Sequence, residues 1–431
     1  MNRISVIGAG LAGCEAAWQL AKRGIFVDLY EMKPIKFSKA HKSKFFAELV
    51  CSNSFKSTSL SSASGMLKQE MKLLGSLTLK VAEETKVDAG QALAVDRELF
   101  SKKITEEIKS CNNIKIINKE VIKPPNGVVI FATGPLTSEA LTQNLQNMIG
   151  GEKLYFYDAI APIVYGETIN YDRAFFGSRY DPLDRSYLNC TMDRKEYEEF
   201  YEELICAKTA KLHSFDIPKV YEGCMPIEVM AKRGKDTIRF GPLKPVGILD
   251  PANEKKWHAI VQLRKENLAA SLFNMVGFQT NLTYSEQKRV FSKIPALENA
   301  EFLRYGTMHK NIFINSPTLL NGNLCLKQNE NLFFAGQITG VEGYLESAAT
   351  GIFVGRFLAE KIVNNKNFAL PSCSMIASLI SYITNEKNSK NFQPIAANFG
   401  IIPSLETKVK NKKEAHINLT NRSIKNLKDI L

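Results

Sequence analysis

The stretch that decides the fold is residues 3–31, RISVIGAGLAGCEAAWQLAKRGIFVDLYE. The apolar run at 3–7 predicts a short buried strand, residues 11–22 predict a helix, and residues 25–30 predict a second strand. A strand, a helix and a strand in this order form a β-α-β unit, and such units build parallel sheets. We therefore expect an α/β fold.

The turn between the first strand and the helix has the glycine spacing GxGxxG. In such a turn Gly8 allows the tight bend, Gly10 lets the backbone approach a pyrophosphate, and Gly13 lets the helix pack close to the strand. The free N–H groups of the helix N-terminus then face the phosphates. Glu31 ends the second strand, at the spacing expected for a carboxylate that binds the adenosine ribose. The predicted dinucleotide contacts are Gly8, Ala9, Gly10, Leu11, Ala12, Gly13 and Glu31.

Two further segments favour FAD over NAD as the dinucleotide. Val128–Gly134 reads VVIFATG and ends in Ala-Thr-Gly, which resembles the second short motif of two-dinucleotide flavoproteins. Residues 331–335 predict another strand, and residues 340–351 hold a glycine-containing loop and the start of a helix of small residues. A helix N-terminus aimed at a flavin ring stabilises its reduced anion. These segments add the predicted cofactor contacts Thr133, Gly134, Gly336, Gln337 and Gly351.

The rest of the chain predicts a second domain inserted into the first. We expect an FAD-binding Rossmann-like domain, of the two-dinucleotide flavoprotein type, interrupted by a mixed α/β domain. Residues 1–137 form the first part of the FAD-binding domain, 138–310 the inserted domain, and 311–431 the return of the first domain with a basic C-terminal tail. Within the inserted domain the pattern predicts helices over Lys195–Lys208 and Trp257–Asn274.

The composition is that of a globular protein with an excess of positive charge. Hydrophobic residues make up 45% of the 431 residues, and the formal net charge is +12, which favours anionic partners such as nucleic acid. Lysines concentrate in two runs, at 33–44 and 408–413. The sequence has no signal peptide and no apolar run of about 18 residues, so we expect a cytoplasmic protein without a membrane segment. The eight cysteines are scattered without a CxxC pair, so we expect neither a metal site nor a disulfide framework.

Longer motifs point to one family. Those that carry the resemblance, beside the glycine turn, are Glu48–Ser54, Ala94–Arg97, Tyr221–Glu228, Phe240–Gly247, Phe334–Gly351 and Phe392–Gly400. In these motifs, which run along essentially the whole chain, the sequence resembles the TrmFO family. The members of that family are FAD- and folate-dependent tRNA (uracil-5-)-methyltransferases related to the flavoprotein GidA.

The resemblance implies a reaction and its cosubstrates. A uridine in the T-loop of tRNA is methylated at C5, the carbon comes from 5,10-methylenetetrahydrofolate, and reduced FAD supplies the electrons. NADH or NADPH then reduces the flavin, and the sequence does not distinguish between the two. We expect the lysine runs at 33–44 and 408–413 to contact RNA phosphates. The oligomeric state is left open.

The chemistry requires a thiolate and a proton acceptor. Attack of a thiolate on C6 of uracil makes C5 nucleophilic, and the C5 proton must then leave to a base. Cys51 and Cys224 are the candidates, because both lie in polar, turn-like contexts. The resemblance implies that Cys224 attacks C6 and that Cys51 acts near the flavin, with the base as one possible role. The lysine run before Cys51 predicts a lowered thiol pKa. Tyr344 either stacks on the isoalloxazine ring and shields the transferred carbon from water, or packs in the core.

Other interpretations stay open. Arg97 and Lys244 are candidate contacts for the folate glutamate or for phosphates. The same chemistry could act on a uridine of 23S rRNA. The chain could instead be a flavin-carrying RNA-binding partner that transfers nothing, or an NADH oxidase, but neither of these needs the pair Cys51 and Cys224.

Overall fold

The computed structural model describes residues 3–38, 40–150, 154–179, 181, 183–210, 225–252 and 256–431, except for the side chains of residues 154–156, 310 and 391. The strands are β1 (Ile4–Ile7), β2 (Val27–Glu31), β3 (Ser54–Ser57), β4 (Lys86–Val87), β5 (Ala92–Val95), β6 (Ile114–Asn118), β7 (Val129–Phe131), β8 (Leu154–Ala159), β9 (Ile163–Tyr165), β10 (Ala174–Gly177), β11 (Tyr187–Met192), β12 (Ala259–Lys265), β13 (Leu272–Met275), β14 (Phe302–Arg304), β15 (Met308–Phe313), β16 (Cys325–Leu326) and β17 (Asn329–Phe334). The α-helices are α1 (Leu11–Ala21), α2 (Ala63–Leu73), α3 (Leu77–Glu84), α4 (Arg97–Lys109), α5 (Glu139–Ile149), α6 (Arg194–Cys206), α7 (Ile227–Lys232), α8 (Thr237–Phe240), α9 (Tyr284–Phe291), α10 (Ser316–Leu319), α11 (Tyr344–Val363), α12 (Met375–Thr384) and α13 (Lys412–Lys428).

The central sheet has the strand order β16-β17-β7-β1-β2-β6. Strands β17, β7, β1, β2 and β6 are parallel, and only β16 runs antiparallel to its neighbour. The β1-α1-β2 unit has the predicted order, which confirms the α/β fold expected from residues 3–31. Because parallel strands are covered by helices on both faces, β1 and β7 are buried along their whole length.

A second sheet is antiparallel throughout, in the order β10-β11-β12-β13-β9-β14. It packs against α6, α7 and α9 around its own hydrophobic core, whose members lie between Val164 and Ala300. The first core gathers residues on both sides of this segment, from Ile4 to Ile149 and from Phe313 to Leu427. The two cores are therefore connected like a domain and its insertion.

A two-stranded antiparallel ribbon, β8 with β15, carries the chain into and out of the second core. Helix α5 precedes this ribbon and buries Leu141, Leu145 and Ile149 in the first core. The division of the chain at residues 138 and 310 stays a prediction. No helix in the described part of the chain is both long enough and apolar enough to cross a membrane.

The predicted helix over Trp257–Asn274 is wrong. The chain forms strands β12 and β13 there, joined by a turn in which Ala270 has a positive φ of 50°. Strand β12 lies between two neighbours and is buried at six of its seven residues, so its apolar run lacks the alternation of a half-buried strand. Such a run cannot be distinguished from a buried helix by periodicity, and pairing with β11 decides the outcome.

Candidate functional site

The glycine turn joins the carboxyl end of β1 to the N-terminus of α1. Gly10 is the N-cap residue of α1, and no side chain caps this helix end, which lies wholly within described residues. A Cβ atom on Gly13 would lie 1.8 Å from the carbonyl oxygen of Gly8, so only glycine allows the helix to begin this close to the strand. A Cβ atom on Gly10 would instead point into open space. The helix therefore presents free N–H groups and unobstructed backbone, which suits an anionic ligand.

The carboxylate of Glu31 fixes the turn to the end of β2. Its Oε2 accepts a hydrogen bond from the N–H of Ala9 at 2.9 Å, and its Oε1 accepts one from the N–H of Lys33 at 3.0 Å. The residue is 7% exposed and lines the cleft described next. Each oxygen keeps a second lone pair, so the carboxylate can also accept a hydroxyl.

A cleft that is partly open to solvent lies at the carboxyl ends of β1, β2, β7 and β17. Ligands of open α/β sheets bind at such strand ends. The structure brings these sequence-predicted residues together in the lining: Gly8, Ala9, Gly10, Leu11, Ala12, Glu31, Thr133, Gly134, Gly336, Gln337 and Tyr344. Other residues that line the cleft were not predicted from the sequence, and they include Lys33, His41, Val50, Lys119 and Ser347.

Gly13 and Gly351 are not among the lining residues. Gly351 lies where α11 crosses α1, and a Cβ atom there would be 2.2 Å from the carbonyl oxygen of Ala12. These two glycines thus set how closely α1 approaches β1 and α11. They support the wall of the cleft from behind, whereas the other predicted cofactor residues face it.

The loop between β17 and α11 forms the wall of the cleft on the side of β17. The N–H of Gly336 donates to Oγ1 of Thr350 at 2.7 Å, which ties the start of the loop to α11. Tyr344 is the first residue of α11, and its ring packs against Phe55 with centroids 5.9 Å apart. Its hydroxyl oxygen accepts hydrogen bonds from the N–H of Cys51 at 2.8 Å and of Ser52 at 3.2 Å. Tyr344 is therefore both a wall of the cleft and the support of the segment that holds Cys51.

Cys51 is partly buried, and its Sγ lies 3.9 Å from the carbonyl oxygen of Ala159. Burial, and next the charge of Asp158, raise its pKa to about 12, although Arg304 and Arg97 act in the opposite direction. The predicted lowering of this pKa by the lysine run is wrong. The ammonium group of Lys33 is itself buried, where it donates to the carbonyl oxygen of Phe45 at 2.6 Å.

Residues 49–53, here called the Cys51 loop, are held by three arginines. Arg304 donates to the carbonyl oxygens of Val50 at 3.0 Å and Cys51 at 3.3 Å. Arg264 donates to Oδ1 of Asn53 at 2.8 Å and to Oγ of Ser52 at 2.7 Å. Arg264 and Arg304 come from the second sheet, and no local motif marked them in the sequence.

Arg97 is the third of these arginines. Its guanidinium binds both carboxylate oxygens of Glu266, at 2.9 and 3.0 Å, and also donates to the carbonyl oxygen of Leu49. The interpretation of Arg97 as a contact for a folate or phosphate anion is therefore wrong, because a carboxylate of the protein already occupies its fork. Arg97 anchors the start of the Cys51 loop.

Two buried acids near the Cys51 loop were not predicted from the sequence. Asp158 is 6% exposed, and Nδ2 of Asn311 lies 3.5 Å from its Oδ2, whereas its Oδ1 has no hydrogen-bond partner among the described residues. Glu342 is 8% exposed and accepts a hydrogen bond from Gln337 at 2.5 Å. Burial, and next the charge of Asp158, raise the pKa of Glu342 well above its usual range.

Cys224 lies outside the described residues, so the structure does not place it. The chain resumes at Met225, which is buried, and the N–H of Ile227 donates to the carbonyl oxygen of Gln279 at 2.7 Å. Glu228 accepts hydrogen bonds from Thr280 and from the N–H of Asn281, both at 2.8 Å. The residues that follow Cys224 are thus fixed to the segment that precedes α9.

The glycine turn, the acidic end of β2 and the cleft at the carboxyl ends of parallel strands define a dinucleotide-binding protein of the FAD-binding Rossmann-like class. Comparison with known proteins narrows this class. A family model described as glucose inhibited division protein A matches residues 3–366. Proteins named methylenetetrahydrofolate–tRNA-(uracil-5-)-methyltransferase TrmFO from Dictyoglomus thermophilum and Acetivibrio thermocellus are 51% and 52% identical to this chain, over 100% of it and 98% of each relative. The chain belongs to the TrmFO family, within the wider glucose inhibited division protein A family.

A further relative and a solved structure agree with this assignment. The TrmFO protein of Fusobacterium nucleatum is 52% identical over 99% of this chain and 98% of its own length. The structure of Aquifex aeolicus GidA in its form II crystal matches with a TM-score of 0.71 at 17% identity, covering 99% of this chain and 72% of that chain. The second match supports the fold, and the first confirms the resemblance that the sequence motifs indicated.

Proposed function

We propose that this protein transfers a one-carbon unit from 5,10-methylenetetrahydrofolate to C5 of a uridine in tRNA, with FAD as its bound cofactor. The names of relatives about 50% identical over the full chain state this transfer for those proteins. The single structural observation that carries the proposal is the hydrogen bond from the backbone N–H of Cys51 to the hydroxyl oxygen of Tyr344. It fixes a candidate catalytic thiol at the rim of a dinucleotide cleft.

The residues of the cleft fit FAD. The uncapped N-terminus of α1 and the open space at Gly10 suit the pyrophosphate, and the spare lone pairs of Glu31 suit the ribose hydroxyls. Gly336, Gln337 and Tyr344 line the same cleft on the side of β17, and they would border the flavin of a bound FAD. When bound, FAD supplies the electrons that reduce the transferred carbon to a methyl group, and NADH or NADPH replenishes them.

The two cysteines divide the work on the uracil ring. Cys224 attacks C6, which makes C5 nucleophilic, and Cys51 acts where the C5 proton leaves. Since burial keeps Cys51 protonated at neutral pH, its thiol must lose a proton before it accepts one. Asp158 immediately precedes Ala159, whose carbonyl the thiol contacts, and the buried Oδ1 of Asp158 has no partner among the described residues. We assign to the carboxylate of Asp158 the role of taking that proton from the Cys51 thiol.

The RNA is held chiefly through its phosphates. Lys42 and Lys44 of the first lysine run are exposed, as is the second run at 408–413 except for its partly buried Val409. Lys33 is buried against Glu48 and cannot take part. Affinity for RNA should therefore fall steeply with added salt. A uridine of 23S rRNA remains the second candidate substrate, because phosphate contacts do not distinguish the two RNAs.

The test is incubation of the FAD-loaded protein with NADH, labelled methylenetetrahydrofolate and either a tRNA transcript or a 23S rRNA fragment. Label in 5-methyluridine of the tRNA supports the proposal, and label only in the rRNA changes the substrate. A Cys51→Ala variant with bound FAD should transfer no label. If the wild-type protein oxidises NADH and labels neither RNA, the transfer activity is excluded and a flavin-carrying partner or an oxidase takes its place.

A further inference from the structure

Three aromatic rings form a stack on the surface of the second core. Tyr305 lies between Phe302 and Tyr284, with ring centroids 5.0 Å apart on each side and interplanar angles of 18° and 16°. We call these three residues the aromatic ladder. Its inner end is fixed, because the ring of Phe302 packs against that of Phe291 in the core, with ring centroids 6.4 Å apart.

The outer end of the aromatic ladder is open to solvent. Tyr284 is 57% exposed, whereas Phe302 and Tyr305 are partly buried. Tyr284 is the first residue of α9, which is capped by the side chain of Thr283. The backbone of Tyr284 and one face of its ring are therefore held in place. A ligand that binds the other face does not have to order the side chain first. A rigid exposed aromatic ring at the end of a stack is a suitable platform for another flat ring.

The aromatic ladder and the Cys51 loop are two sides of the same short segment. The pairing of β14 with β9 shifts register between Phe302 and Arg304. A bulge of this kind redirects a side chain. Arg304 accordingly reaches the carbonyl oxygens of Val50 and Cys51. Phe302 and Tyr305, which follows Arg304, form the aromatic ladder instead.

The charges beside Tyr284 favour an anionic ligand. Lys288 lies one helical turn further along α9 and is exposed. Lys208 is also exposed, and its carbonyl oxygen accepts the N–H of Thr283, next to Tyr284, but its charge already interacts with the carboxylate of Glu286. Arg289 is already engaged by Glu203 and Glu286. An open aromatic face beside the exposed Lys288 fits a nucleotide, because the base can stack on the ring while a phosphate meets the ammonium group.

We propose that the outer face of Tyr284 stacks on a base of the substrate RNA close to the uridine that is methylated. The proposal rests on the proposed function and adds a contact that positions the RNA. An enzyme that acts on C5 must take the uridine out of its stack, which leaves neighbouring bases without one of their stacking partners. The aromatic ladder replaces that lost partner on the same segment that holds the Cys51 loop.

The test measures RNA binding and base stacking separately from methylation. A T-arm hairpin with 2-aminopurine next to the target uridine is titrated with FAD-loaded wild-type protein and with Tyr284→Ala, Tyr284→Leu and Tyr284→Phe. We expect binding to weaken about 5- to 150-fold in the Ala and Leu variants and to persist in the Phe variant. We expect the 2-aminopurine fluorescence to be quenched only by proteins that keep a ring at position 284. Leu183→Ala is the control, since Leu183 is 90% exposed and lies outside the ladder.

Each outcome decides the proposal. Equal affinity and equal quenching in Tyr284→Ala and the wild-type protein would overturn it, even if methylation proceeds, and the proposed function would then stand alone. A wild-type dimer that Tyr284→Leu dissociates would also overturn it, because a second copy of the chain would then cover the ring. Flavin content and thermal stability show whether the variants fold. If the Ala variant does not fold, the Leu variant, which keeps most of the apolar area, takes its place. Loss of labelling in the wild-type protein with normal hairpin quenching would refute only the transfer reaction.

Discussion

The crossing of α1 and α11 at Gly351 predicts a measurable cost for the smallest possible side chain. In a Gly351→Ala variant the new Cβ would lie 2.2 Å from the carbonyl oxygen of Ala12 and 2.9 Å from its Cα. Relief of that overlap requires the two helices to separate by roughly 1 Å, since close-packed interiors have no room to absorb it. Overpacking of this kind costs about 1–3 kcal/mol, offset by about 1 kcal/mol from the better helix propensity of alanine.

The displacement should reach the cofactor. Helix α1 begins at the glycine turn and α11 begins at Tyr344, so a shift at their crossing moves both ends of the cleft. We expect the thermal unfolding temperature to fall by about 1–2 °C, because a chain of 431 residues has a large unfolding entropy, and bound flavin to be lost about 5- to 30-fold faster on dilution. Differential scanning fluorimetry and the absorbance of released flavin measure the two effects.

Two other glycines provide graded controls for this variant. A Cβ atom on Gly355 would lie 2.8 Å from the carbonyl oxygen of Ala16, and one on Gly322 would have nothing within 4 Å. The effect should therefore decrease from Gly351→Ala through Gly355→Ala to Gly322→Ala. If Gly351→Ala retained flavin and melted as the Gly322→Ala variant does, the closeness of the helix crossing would not support the cleft.

Three further predictions address single groups. Because burial raises the pKa of Cys51 to about 12, iodoacetamide at pH 8 should label it at least ~100-fold more slowly than the exposed Cys206, as followed by mass spectrometry; similar rates would contradict this. Arg304→Lys, which loses the paired donation to the Cys51 loop, should lower the methylation rate about 10- to 100-fold at normal flavin content. The surface variant Arg289→Lys should have no such effect, and equal activities of the two variants would refute the anchoring role. Burial raises the pKa of Glu70 to about 7, above its unfolded value, so the protein should lose stability as the pH rises from about 4.5 to 7. Relative to Glu70→Gln, the loss in the free energy of unfolding should be about 3 kcal/mol. If urea unfolding gave the two proteins a free-energy difference that does not change across this pH range, the prediction would be refuted.

The cleft could be predicted from the sequence because its parts are local. The glycine turn, Glu31, Ala-Thr-Gly at 132–134 and Gly336 each lie at the carboxyl end of a strand or within two residues of it. Parallel strands place their carboxyl ends at one edge of the sheet, so four local motifs converge without knowledge of any long-range contact. The longer motifs then identified the family, and the comparisons confirm it.

The surroundings of Cys51 could not be predicted in this way. Arg264 and Arg304 lie more than 200 residues further along the chain than the Cys51 loop that they reach, and nothing in their local sequence sets them apart from surface arginines. The lysine run before Cys51 suggested an electropositive site, but a sequence does not show that Lys33 is buried against Glu48. Desolvation then outweighed the charges that remained, and the thiol pKa rose.

The strand order of the central sheet has a consequence during synthesis on the ribosome. Strand β7 must pair with β17, which is translated about 200 residues later. At roughly 5–20 residues per second, one edge of β7 waits on the order of 10–40 s for its neighbour. Meanwhile the antiparallel sheet, whose strands are all translated before β17, has time to form. The nascent chain therefore carries an exposed apolar edge beside a finished insertion, and this interval is when it most needs protection from aggregation.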